Sequence, residues 1–141
     1  MNTILVPVDG SESSLNALKT ALAMIGERSD VALRVVTVQI PIASGNVKRF
    51  ISADILEEYY QDEGNEALAA ARELLSDSKL PITFEVLVGS PAESIVEHAK
   101  LHGCSHVIMG TRGLGRISGL VLGSVATKVL SLINIPVTLV K

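Results

Sequence analysis

Short apolar runs alternate with amphipathic stretches along the whole chain. Thr3–Val8 is a compact apolar run closed by Asp9-Gly10, the pattern of a buried strand. Ser11 then stands as a helix cap, with Leu15, Leu18, Leu22 and Ile25 at helical spacing and Gly26 behind them. Val31–Ile40 is β-branched and apolar and predicts a second central strand. Pro41–Arg49 holds Pro, Ser, Gly and Asn and is expected to be a loop. From Phe50 to about Ser78 the spacing predicts a helix. Its apolar stripe is Ile55, Tyr59, Ala67, Leu68, Ala71, Leu74 and Leu75, and Gly64 is a point of weakness or division. Ile82–Val88 alternates and predicts a third strand. Pro91 opens a helix with Ile95, Val96 and Ala99 facing inward. Ser105–Met109 predicts a fourth strand, Ser124 to about Ile133 a last helix, and Pro136–Val140 a last short strand.

Strands alternating with helices imply parallel pairing, right-handed crossovers and helices on both faces of one sheet. No linker, composition break or repeat divides the chain, so residues 1–141 read as one domain. In such a sheet a ligand sits beyond the C-terminal strand ends, where strand order reverses. The first and fourth strands commonly flank that point. Their ends here are Asp9-Gly10 and Gly110-Thr111.

Composition narrows the partners. With 48% apolar residues in 141, the chain has the means to build a core. A net charge of −3 offers no general attraction to nucleic acid or to an anionic membrane. Two Tyr, two Phe and no Trp leave little for stacking bases of a single strand. A lone cysteine, Cys104, excludes an internal disulfide framework and suits a reducing compartment. The N-terminus has neither the basic start nor the long apolar stretch of a signal peptide, and no apolar segment is long enough to span a bilayer. A cytoplasmic protein is expected.

The strongest chemical signal lies between the fourth strand and the last helix. Gly110 to Ser124 holds five glycines and two arginines in fifteen residues. Gly110 and Gly113 would let backbone approach phosphate oxygens. Gly123-Ser124 would open a helix whose N–H groups and dipole favour an anion, and the Ser124 hydroxyl would add a hydrogen bond. Arg112 and Arg116 would supply positive charge. No Lys separates Gly123 from Ser124, so this is not the Walker pattern. The dinucleotide fingerprint belongs after the first strand, where the chain has only Asp9-Gly10-Ser11. Asp9 is either a turn residue or a carboxylate for a ribose hydroxyl or a divalent ion. His98, His102 and His106 recur every four residues around Cys104, but Gly103 is expected to end the helix before His106, which weakens the case for a metal. Cys104 reads as a small buried residue, and no Ser, Cys or Thr shows a base partner in the sequence. Lys48, Arg49, Glu57, Glu58, Asp62 and Glu63 read as a solvated face.

The spacing Gly110-x2-Gly113-x9-Gly123-Ser124, joined to Val6-Pro7-Val8-Asp9-Gly10-Ser11, resembles the universal stress protein family in its ATP-binding branch. The likeness runs over the whole chain, including the closing Ile135-Pro136-Val137-Thr138-Leu139-Val140. It implies a Rossmann-like or flavodoxin-like fold of the adenine nucleotide alpha hydrolase kind: a five-stranded parallel sheet in the order 3-2-1-4-5. It implies that Pro7, Val8 and Asp9 meet adenine and ribose, with Val38 over the base. Met109 and Gly110 would floor the sugar. Arg112, Gly113, Gly123, Ser124 and Val125 would hold the phosphates of ATP, ADP or AMP, with Mg2+ or Mn2+ and Asp9 as its candidate ligand. Ile42–Arg49 matches no motif of the family.

The family is usually dimeric, and the uncharged strand Val137–Val140 suits pairing with a second copy. The expected function is nucleotide-dependent regulation in a stress response, through a protein partner. The alternative is slow ATP hydrolysis or phosphate transfer using Asp9 and a divalent metal. A phospho-acceptor receiver would need an Asp where Val88-Gly89 ends the third strand, and an adenylyl transferase would show a His-x-Gly-His site; neither is present.

Overall fold

The computed structural model describes residues 2–42, 45–113 and 122–141, and of residues 47–49 the backbone alone. β1 (Asn2–Pro7) leads through α1 (Glu12–Ile25) to β2 (Val31–Gln39). A short α2 (Gly45–Phe50) and a long α3 (Ala53–Leu74) precede β3 (Ile82–Val88). Then come α4 (Pro91–Leu101), β4 (His106–Gly110), α5 (Ser124–Leu132) and β5 (Val137–Val140). The strands pair in parallel in the order β3-β2-β1-β4-β5, the order the resemblance implies. β1 lies between β2 and β4, and the connections after β1 and β4 lead to opposite sides of the sheet order, which parts the loops above their C-terminal ends.

Alternation along the strands divides the core into two layers. Val6, Val8, Leu33, Val35 and Ile108 pack under α1 and α3, against Ala17, Leu18, Ala21, Leu68 and Ala71. Leu5, Val36, Val107 and Met109 point the other way, against Ala92, Ile95, Val96 and Ala99 of α4 and Ala126 and Val129 of α5. The helix starts are set locally. Ser11 Oγ accepts the Ser14 N–H at 3.2 Å, and Ser52 Oγ accepts the Ile55 N–H at 3.2 Å. Pro91 occupies the first turn of α4, where its missing N–H costs no helical bond.

Three expectations change. Pro41–Arg49 is not all loop: Gly45–Phe50 forms α2, and Phe50 ends that helix instead of starting the next. Polar and only six residues long, α2 has no apolar periodicity to announce it. Second, Gly64 does not divide α3, which runs unbroken past it. Gly64 is buried at the β3 face, where a Cβ would run into both methyls of Val86. Glycine is there for close helix–sheet approach, and its poor helix propensity is overridden by packing. Third, Ile55 and Tyr59 are exposed and stand outside the inward stripe. Tyr60 takes the buried place, and its hydroxyl accepts the Ile42 N–H at 2.8 Å, tying the end of β2 to α3.

Candidate functional site

A cavity of about 410 Å3 opens beyond the C-terminal ends of β1 and β4, at the point where strand order reverses. Pro7, Val8, Asp9, Val38, Met109, Gly110, Arg112, Gly113, Gly123, Ser124 and Val125, the eleven residues singled out from the sequence, all line it. Arg116 lies outside the described residues. The sequence reading missed Ser14, Ile40, Pro91, Ile95, Thr111 and Ala126, which line the same cavity. The apolar ones have no signature apart from core residues. Thr111 stands inside the glycine spacing but carries no motif position.

The walls differ in character. Val38, Ile40, Pro91, Ile95 and Met109 give one side an apolar lining suited to a flat ring. The other side is built from Asp9, Thr111, Arg112, Gly113 and the start of α5. Gly123 is the N-cap of α5 and offers no side chain to the helix. The first-turn N–H groups of Ser124, Val125 and Ala126 therefore lack partners within the helix, and all three residues border the cavity. Those donors, with the positive end of the helix dipole and the Arg112 guanidinium, favour an anion.

Asp9 takes the turn role considered for it and leaves its second oxygen on the cavity side. Its Oδ1 accepts the Ser11 N–H at 2.9 Å, an Asx turn that steers the chain into α1. Its own N–H donates to Ser14 Oγ at 3.3 Å. Oδ2 lies against the glycine loop: a Cβ on Gly113 would fall 2.5 Å from it. The carboxylate is thus held by one oxygen and presented by the other.

The glycines have reasons in the protein itself. A Cβ on Gly110 would meet Ser13 Oγ at 2.5 Å and the Ser13 carbonyl carbon at 2.9 Å, so Gly110 lets the first turn of α1 rest on β4. A Cβ on Gly123 would stand 3.2 Å from the Thr111 carbonyl oxygen, to which the Gly123 N–H donates. Gly113 makes room for Asp9. Of the three, Gly113 alone packs against the Asp9 carboxylate.

A second polar cluster sits away from the cavity, between β2, β3 and α4. His98 and His102 share a face, as their spacing suggests: α4 runs to Leu101, with His102 its C-cap and Gly103 at φ 60° behind it. Their rings lie 4.2 Å apart. The Arg34 Nε–H donates to His98 Nε2 at 3.0 Å, Glu85 Oε2 lies 3.4 Å from His98 Nδ1, and Arg34 Nη2 lies 3.8 Å from Glu85 Oε1. Glu85, His98 and His102 each bring a ligand-type atom within 4.8 Å of the others. A metal on Nδ1 would move the imidazole proton to Nε2, against the Arg34 N–H. The guanidinium already fills the place of a cation. Burial, the neighbouring His102 and Arg34 all push the His98 pKa down, opposed by Glu85. His106 is separate, in β4, with Nε2 at 2.7 Å from Thr138 Oγ1. Cys104 is buried, and burial pushes its thiol pKa up, away from nucleophilic use.

Fold and cavity together define a doubly wound α/β protein with a cavity at its switch point. Residues 1–141 match the model of the universal stress protein family, and the chain belongs to that family. Universal stress protein MJ0531 of Methanocaldococcus jannaschii is 32% identical over 138 residues, spanning 98% of this chain and 81% of that one. The structure of hypothetical protein MJ0577, from the same organism, superposes with a TM-score of 0.86 at 28% identity, covering 99% of this chain and 95% of that one. A universal stress protein solved in complex with cAMP gives 0.72 at 27% identity, covering 99% and 97%. No helix among the described residues is long and apolar enough to cross a membrane.

Proposed function

We propose that this chain binds an adenine nucleotide, with ATP the first candidate and ADP or AMP alternatives, and uses the bound state to regulate a protein partner in a stress response. One observation carries the reading: one cavity is lined by apolar side chains, by the Asp9 carboxylate and by an uncapped helix N-terminus. Those are surfaces for a base, a ribose and a phosphate. The base and ribose lie against Pro7 and Val8 with Val38 over the base, and Met109 and Gly110 lie beneath the sugar. Asp9 Oδ2 accepts a ribose hydroxyl, or helps to hold a Mg2+ or Mn2+ beside the phosphates. Arg112, Gly113, Gly123, Ser124 and Val125 hold the phosphates through N–H groups, a hydroxyl and a guanidinium. The relative holding cAMP supports the choice of an adenine ring.

Regulation is favoured over turnover because Asp9 is the one carboxylate among the described lining residues, and one of its oxygens is already engaged by Ser11. Titration of ATP with and without Mg2+ tests the reading; saturable one-to-one binding is expected, and no binding at millimolar ATP overturns it. Hydrolysis lost in Asp9→Asn with nucleotide affinity kept would favour the enzyme instead. We further propose a homodimer through β5, which pairs with β4 on one side and keeps Val137 and Leu139 half-buried. Sedimentation velocity of the parent and of Leu139→Lys checks it, with the variant expected as a monomer.

A further inference from the structure

We propose that the Thr111 hydroxyl is a phosphate-binding group of this cavity; the proposal rests on the nucleotide reading above. Thr111 follows β4, lines the cavity and is only 6% exposed. Its backbone is fully engaged. The N–H donates to the Val140 carbonyl at 2.8 Å, and the carbonyl accepts the Gly123 N–H. The residue is thereby pinned between the end of β5 and the N-cap of α5, beside the helix start that takes the anion.

The side chain is different. Among the buried side-chain polar atoms of the described residues, Thr111 Oγ1 is without a hydrogen-bond partner. The serine hydroxyls at the start of α1 are used. Ser14 Oγ donates to the Ser11 carbonyl at 3.0 Å, Ser11 Oγ accepts from Ser14, and Ser13 Oγ donates to the Val140 carbonyl at 3.3 Å. Native interiors leave few such groups unpaired, and one that persists calls for a partner that comes and goes. A hydroxyl can donate to an anionic oxygen, the acceptor expected at the start of α5. A staggered step about χ1 carries Oγ1 to another rotamer position, so the hydroxyl can turn to a ligand without moving the pinned backbone. Valine would fill the same space, so the hydroxyl and not the volume is the feature to explain.

The test is ATP titration of the parent, Thr111→Val and Thr111→Ser, with the melting temperature of each protein free of nucleotide. Thr111→Val is expected to weaken ATP binding by about tenfold or more. It should melt no lower than the parent, since it removes an unpaired polar atom. Thr111→Ser is expected to hold ATP within about threefold of the parent. ATP binding by Thr111→Val equal to the parent's overturns the proposal and leaves the nucleotide reading standing. So does a Thr111→Val that melts well below the parent, because the hydroxyl then serves the unliganded fold. A parent that binds no ATP overturns both.

Discussion

Two polar clusters interrupt the apolar layers of this protein, and they are finished differently. Around His98 the account closes: Arg34 faces one ring nitrogen, Glu85 faces the other, and the guanidinium and carboxylate approach each other. Around Asp9 it does not. One carboxylate oxygen is free of Ser11, the start of α5 is uncapped, and Thr111 Oγ1 is unpaired among the described residues. The closed cluster joins β2, β3 and α4 and needs nothing further. The open one sits where the fold parts its loops, and its unused groups are those a nucleotide would satisfy. Titratable residues gathered in space therefore do not mark a site by themselves; what marks it is unmet hydrogen-bonding capacity facing a cavity.

The contrast can be attacked in order of expected effect. Leu18 lies beneath both clusters' common scaffold, fully buried between α1 and the sheet. Leu18→Ala should cost about 2–5 kcal/mol in urea unfolding, with ATP affinity per folded molecule unchanged. Arg34→Ala leaves His98 Nε2 without its donor and removes the guanidinium beside Glu85. It should cost about 1–3 kcal/mol of stability while ATP binding stays at the parent value, and a loss of ATP binding would join the clusters that we separate.

Gly113→Val should do the reverse. Its side chain would drive the Asp9 carboxylate off its position, weakening ATP by about tenfold or more with little change in melting temperature. The smallest effect concerns pH. His98 titrates lower in the fold than in the unfolded chain, so folding disfavours its protonation. The stability is fully present above about pH 6.5, the unfolded value, and is lost as pH falls below it. Urea midpoints at about pH 7.5 and about pH 5.5 should separate, and His98→Gln should narrow the gap.

Most of this was legible in the residues, for identifiable reasons. Strand and helix order follow from buried apolar runs and from caps such as Ser11 and Pro91, where local and global preferences agree. The site was legible where chemistry is tied to spacing, as in Asp9 and Gly110 to Ser124. It was illegible where only the fold brings residues together. Arg34 and Glu85 come from separate strands, and nothing in sequence joins them to His98. An outward-type charge at an inward position of each strand was the available signal, since Arg34 alternates with Leu33 and Val35. Tyr59 and Tyr60 show the other limit: adjacent aromatics leave the helical phase undecided by one residue, and the Ile42 N–H decides it. The glycines have a structural reason that the spacing did not announce: Gly110, Gly113 and Gly123 each make room for a neighbouring protein atom.

The most direct test of an open cluster against a closed one is an amide-resolved NMR titration of the parent protein with ATP. The account predicts saturable shifts at Asp9, Gly113, Ser124, Val125 and Ala126, with Arg34, Glu85, His98 and His102 unmoved. Shifts confined to the Arg34–Glu85–His98 cluster, or none at millimolar ATP, would contradict it.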